Sequence, residues 1–113
     1  MLNIVFTTAP LQPEARHGLD LLAMAASLEQ PVSAYYTAQG LAQLVVPSPS
    51  TPDPLKKIAI LDDIFDFSAF YTSPEALAES GLNLEDLRIP MTLVSAAELA
   101  AVVANQQGFT LRF

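Results

Sequence analysis

The chain has 113 residues, enough for one domain (1–113) with its own core, and carries 12 acidic against 5 basic side chains for a net charge of -7. Hydrophobic residues make up 51% and charged residues only 15%, against about 25% charged in ordinary soluble domains, so apolar surface is left over for a partner. The basic residues Arg16, Lys56, Lys57, Arg88 and Arg112 are too scattered to displace counterions from a nucleic acid, and the absence of cysteine excludes disulfides, zinc thiolates and persulfide chemistry on this chain.

No basic region followed by an apolar stretch opens the chain, and no apolar run approaches the about 18–20 residues of a membrane span. A soluble cytoplasmic protein without membrane contact is expected.

"LNIVFTT" (2–8) is a β-branched and aromatic run stopped by Pro10 and Pro13, the pattern of a buried first strand. Residues 13–29 follow at helical spacing, with Pro13 at the first helical position and Glu14 in the first turn. "PVSAYYT" (31–37) alternates Val32, Ala34 and Tyr36 as a second strand, and Thr37 is placed to cap the short helix "AQGLAQLV". The proline-rich stretch 47–54 is a loop, and Asp53-Pro54 starts a helix through about Asp63 with Ile58 and Leu61 on one face.

"FDFSAFYT" (65–72) alternates Phe65, Phe67, Ala69 and Tyr71 as a third strand, followed by the helix "SPEALAES" (73–80), stopped by Gly81. "MTLVS" (91–95) is a fourth strand. "SAAE" (95–98) matches a capping box for a helix from Ala96 to Gln106 that ends at Gly108, and "FTLRF" (109–113) is a fifth strand. Strands alternating with helices imply a three-layer α/β/α fold with a mostly parallel sheet of about five strands.

Chemistry is sought first at the carboxyl ends of the strands, where open α/β sheets place ligands. Thr7-Thr8-Ala9-Pro10 lacks the glycines of a phosphate loop, although it offers contacts to a small anion. Asp62, Asp63 and Asp66 read as chain-end caps rather than a hard-cation site. His17 is the sole histidine and builds no metal site by itself; with Ser73 it makes a conceivable nucleophilic dyad, the basis of an alternative as a small hydrolase or transferase. Yet Ser73-Pro74-Glu75 is first an ordinary helix start, with serine as N-cap, and no G-x-S-x-G elbow surrounds it. Among the clustered aromatics, Tyr35, Phe67, Phe70 and Tyr71 are candidates to anchor an interface.

Taken in order, "FTTAP", "ARHGLDLLAMAASL", "AQGLAQLV", "EALAESGL" and the terminal "LRF" resemble the TusC/DsrF branch of the DsrE-like family of sulfur-relay proteins, over essentially the whole chain. The resemblance implies a DsrE-like fold and a cytoplasmic subunit in a heterohexamer with TusB-like and TusD-like chains. Such complexes pass persulfide sulfur from a TusA-like donor to a TusE-like acceptor for 2-thiolation of the tRNA wobble uridine; no cofactor is expected on this chain. Counting back from Gly81 places Ser73 where the cysteine-bearing relative has its carrier. Serine lacks the sulfur that forms and breaks S–S bonds, so no catalytic residue is carried over. Two related alternatives are a DsrF-like subunit in dissimilatory sulfur oxidation and a homo-oligomeric DsrE-like protein that binds a small ligand.

Overall fold

The computed structural model describes residues 2–45, 55, 58, 61, 67–104 and 109–113. Five strands form one parallel sheet: β1 (Leu2–Phe6), β2 (Val32–Tyr36), β3 (Phe70–Thr72), β4 (Thr92–Leu93) and β5 (Phe109–Arg112) in the order β4-β3-β2-β1-β5. Successive strands are joined by crossovers, as a parallel sheet requires. The chain steps outward from β1 to β4 and returns to place β5 on the free side of β1.

Register and alternation define the two faces of the sheet. Phe6 pairs with Tyr36 and Ala34 with Phe70 on one face, while Val5, Tyr35, Tyr71 and Arg112 share a row on the other. On the first face the rings of Phe6 and Tyr36 stack at 4.7 Å, Tyr36 meets Phe70 at 6.4 Å, and Phe67 packs edge-on to Phe70 at 5.0 Å. Helix α1 (Pro13–Ser27) covers this face, burying Ala15, Leu19 and Leu22. Its Gly18 lies close against Phe6 and Phe113, with no room for a side chain. Full burial of side chains such as Phe6 and Leu19 stabilises the fold by about 1.5–3 kcal/mol each.

Helix α2 (Pro74–Ser80) packs against the 3₁₀ turn Gly40–Leu44 and against helix α3 (Ala96–Val103), which lies across β1 and β5 on the Val5 face. Val5 and Val102 are both fully buried there. Loop 82–91 is tied to the 3₁₀ turn by Arg88, whose amide donates to the Leu44 carbonyl at 2.7 Å and whose guanidinium donates to the Val45 carbonyl at 3.0 Å. The half-buried guanidinium thus holds loop 82–91 against the end of the 3₁₀ turn.

Several expected boundaries shift. Of the strand expected over 65–72, residues 65 and 66 lie outside the described residues, and β3 is seen from Phe70: Phe67 N–H donates to the Leu61 carbonyl and Phe70 N–H to the Ser68 carbonyl, turn bonds in place of ladder bonds. The turn also breaks the alternation, so Phe67 and Phe70 meet on the same side. The helix expected over 53–63 falls largely outside the described residues, as do Asp62, Asp63, Asp66 and Gly108; Leu55, Ile58 and Leu61 are described, and all three are buried in the core. α3 is described to Val103, short of Gln106.

The caps follow the same local logic. Ser95 Oγ accepts from the Glu98 amide at 3.1 Å, the serine half of the expected capping box. A two-sided box forms instead at Asn83 and Asp86, around the 3₁₀ turn Leu84–Asp86. Thr37 Oγ1 takes the Gly40 amide at 3.4 Å and donates to the Phe6 carbonyl at 3.2 Å, tying the turn to the end of β1.

Candidate functional site

The junction between β3 and α2 is built from local chemistry. Thr72 ends the strand fully buried, donating through Oγ1 to the Tyr36 carbonyl at 2.9 Å and accepting from the Val94 amide at 2.8 Å. Both neighbouring strands thus fix where the next residue falls. Ser73 has extended backbone (φ -108°, ψ 156°), is 2% exposed, and accepts a hydrogen bond at Oγ from the Ala76 amide at 3.0 Å. Pro74 takes the first helical position and Glu75 the first turn, where its charge complements the helix dipole. Gly81 closes the helix with φ 77°, its amide reaching the Leu77 carbonyl at 3.1 Å.

Ser73 borders a groove of about 530 Å³ between α2 and α3. Thr37 from the end of β2 and Arg112 from the end of β5 complete its upper wall, so the groove sits at the carboxyl ends of three strands. The remaining surface is mostly small and apolar, from Ala76, Leu99, Ala100 and Val103. A serine needs an adjacent base to act as a nucleophile. His17 is exposed on α1 and is not part of the groove wall, so the fold does not assemble the Ser73–His17 dyad.

A second hollow of about 720 Å³ opens at the ends of β1 and β5, walled by Thr7, Thr8, Gln12 and Arg112. Thr7 is committed there to the backbone: its amide and its Oγ1 both donate to the Phe113 carbonyl, at 2.7 and 3.0 Å. The "TTAP" turn therefore closes the sheet rather than presenting both threonine donors to an anion. Among the described residues, no group of three His, Asp or Glu side chains converges in a way that could hold a metal. No helix among them is long and apolar enough to cross a membrane.

The four aromatic residues singled out from the sequence separate by face. Phe70 is 1% exposed and Phe67 packs against it, so Phe70 belongs to the core and has no surface to offer a partner. Tyr35 and Tyr71 are half-buried on the other face, stacked on each other at 5.1 Å. Burial raises the Tyr35 hydroxyl above its ordinary pKa, with further contributions from Tyr71 and the Glu98 carboxylate of α3. Arg112 and the small residues of α3 were not singled out from the sequence. The only available signal was the four-residue spacing of Ala96, Ala100 and Ala104, which by itself marks any helix with a small-residue face.

Comparison with known proteins places this geometry. A protein TusC homolog from Vibrio vulnificus (strain CMCP6) is 30% identical over 108 residues, which cover 92% of each chain. The chain belongs to the TusC family. A second TusC homolog, from V. vulnificus strain YJ016, is 29% identical over 108 residues with the same coverage. No family model matches the chain. Among solved structures, the ychN protein from E. coli superposes with a TM-score of 0.74 over 99% of this chain and 97% of that one. At 14% identity this likeness shows the shared three-layer α/β/α fold and its parallel sheet. As a TusC-family chain with no cysteine, the protein has no thiol with which to carry sulfur itself.

Proposed function

We propose that this chain is a non-catalytic subunit of a TusBCD-type sulfur-relay complex, cytoplasmic, assembled with TusB-like and TusD-like chains. In this role it supports persulfide transfer from a TusA-like donor to a TusE-like acceptor for 2-thiouridine formation in tRNA. The observation that carries the proposal is the state of Ser73: at the position inferred for the relatives' sulfur carrier, this chain has a buried hydroxyl committed as a helix cap. An alcohol there cannot form or release a persulfide, and His17, the one histidine of the sequence, does not line the groove beside it. Membership in the TusC family and a low charge content that leaves apolar surface for a partner support the same role.

Co-expression with TusB-like and TusD-like chains from the same genome tests it. One stable complex is expected, with persulfide transfer that needs the chain but survives Ser73→Ala at a small cost in stability. A chain that stays monodisperse beside those relatives, or a transfer rate that collapses in Ser73→Ala while the complex remains intact, would overturn it.

A further inference from the structure

We propose that the groove between α2 and α3 is a docking site for a linear polypeptide segment from another protein, one that presents a lysine or arginine flanked by small apolar side chains. Its floor is apolar and shallow because α3 turns Ala96 and Ala100 toward it, and alanine side chains let another backbone approach closely. Along the opposite wall α2 presents Glu75 and Glu79, one helical turn apart, both exposed on the groove rim. Two carboxylates in line above an apolar floor complement a segment whose cations reach up while its small side chains fill the floor. Arg112, exposed on the same wall, places one positive charge among these groups and is placed to donate to a backbone carbonyl of the segment.

The volume of about 530 Å³ is that of a few side chains rather than of a folded domain. Among the described residues that line the groove, two of the three charged ones are acidic, matching the chain's net charge of -7, so an acidic segment is repelled and a basic one is drawn in. A small-molecule ligand fits the volume equally well, but the wall shows no convergent set of buried polar groups to orient one: Ser73 is occupied as a cap. This inference rests on the groove alone and does not depend on the sulfur-relay role.

Panning a library of random linear peptides, displayed on phage, against the intact chain tests it. Enriched peptides should carry Lys or Arg beside Ala, Val or Leu. Their affinity should fall by about tenfold or more in Ala100→Trp, which fills the groove, and in the double variant Glu75→Lys with Glu79→Lys, which reverses the rim. The paired surface reversal is made at exposed positions, so it reports on binding even where the tryptophan disturbs the fold, and circular dichroism checks both. Peptides that bind both variants as well as the parent, enrichment of acidic peptides, or no enrichment at all would each overturn the proposal. Co-expression with relatives tests assembly separately, so either result can fail without the other.

Discussion

The rings of Tyr35 and Tyr71 stack at 5.1 Å between centroids, 28° from parallel, on the sheet face opposite Tyr36 and Phe70. They are register partners on adjacent parallel strands, and each retains some exposure. A double-mutant cycle with Tyr35→Ala and Tyr71→Ala should give a coupling of about 0.5–1.5 kcal/mol in the isolated chain. If this face meets a partner subunit, the same substitutions should weaken assembly by more than they weaken the fold, measured by co-purification against thermal unfolding. Equal losses in both measurements would assign the pair to intrachain stability alone.

The hydroxyl of Tyr36 is fully buried and finds no hydrogen-bond partner among the described residues. Burial drives its pKa far above the ordinary value, offset only in part by the Arg88 guanidinium. The folded state therefore holds the Tyr36 proton more tightly than the unfolded state. Stability from the neutral phenol is fully present below the usual tyrosine value near 10.0 and is lost as pH rises beyond it. Tyr36→Phe should raise stability by about 1 kcal/mol in neutral buffer, by removing an unsatisfied buried group, and should move alkaline unfolding to higher pH. Denaturation followed across the alkaline range checks both effects, and a loss of stability at neutral pH would show that the hydroxyl has a partner after all.

Helix α1 ends at a non-glycine residue in the left-handed region: Glu29, with φ 56°. Its amide reaches the Ala26 carbonyl at 3.1 Å and the Gln30 amide reaches Ala25 at 3.0 Å, the paired bonds of a Schellman ending. That position favours glycine, so Glu29→Gly should stabilise the chain by about 0.5–1 kcal/mol despite the more flexible unfolded state. The shift in thermal midpoint reads the sign directly.

Two glycines should resist substitution for different reasons. A Cβ on Gly40 would collide with the backbone carbonyl of Phe6, which already accepts from Thr37, so Gly40→Ala must displace either the 3₁₀ turn or the end of β1. A cost of about 1–3 kcal/mol is expected from this overpacking. Gly81 has open space around it but φ 77°, so Gly81→Ala should cost about 1–2 kcal/mol from backbone strain alone. Gly81→Asn should recover much of that loss, since asparagine tolerates the left-handed region, whereas Gly40→Asn should not. Chemical denaturation of the four variants separates the two causes.

The sequence by itself determined the features set within a few neighbouring residues. Pro13 and Glu14 mark the start of α1, and Ser73-Pro74-Glu75 with Gly81 bounds α2 at both ends, because caps, proline φ and left-handed glycine depend on local chemistry. The alternation of strands and helices was enough for a parallel three-layer fold, and the missing cysteine was enough to deny this chain a sulfur carrier. Only the tertiary structure decided which aromatics are core and which are surface. Phe70 and Tyr71 are neighbours in β3 and so point to opposite faces, but which of the two meets α1 and the core is set by the pairing of Phe70 with Ala34 and of Tyr71 with Tyr35. It also decided that Ser73, Ala100 and Arg112 border one groove while His17 lies elsewhere. Those relations follow from the strand order β4-β3-β2-β1-β5, which brings distant chain segments together by long-range burial and ladder pairing that no local window contains.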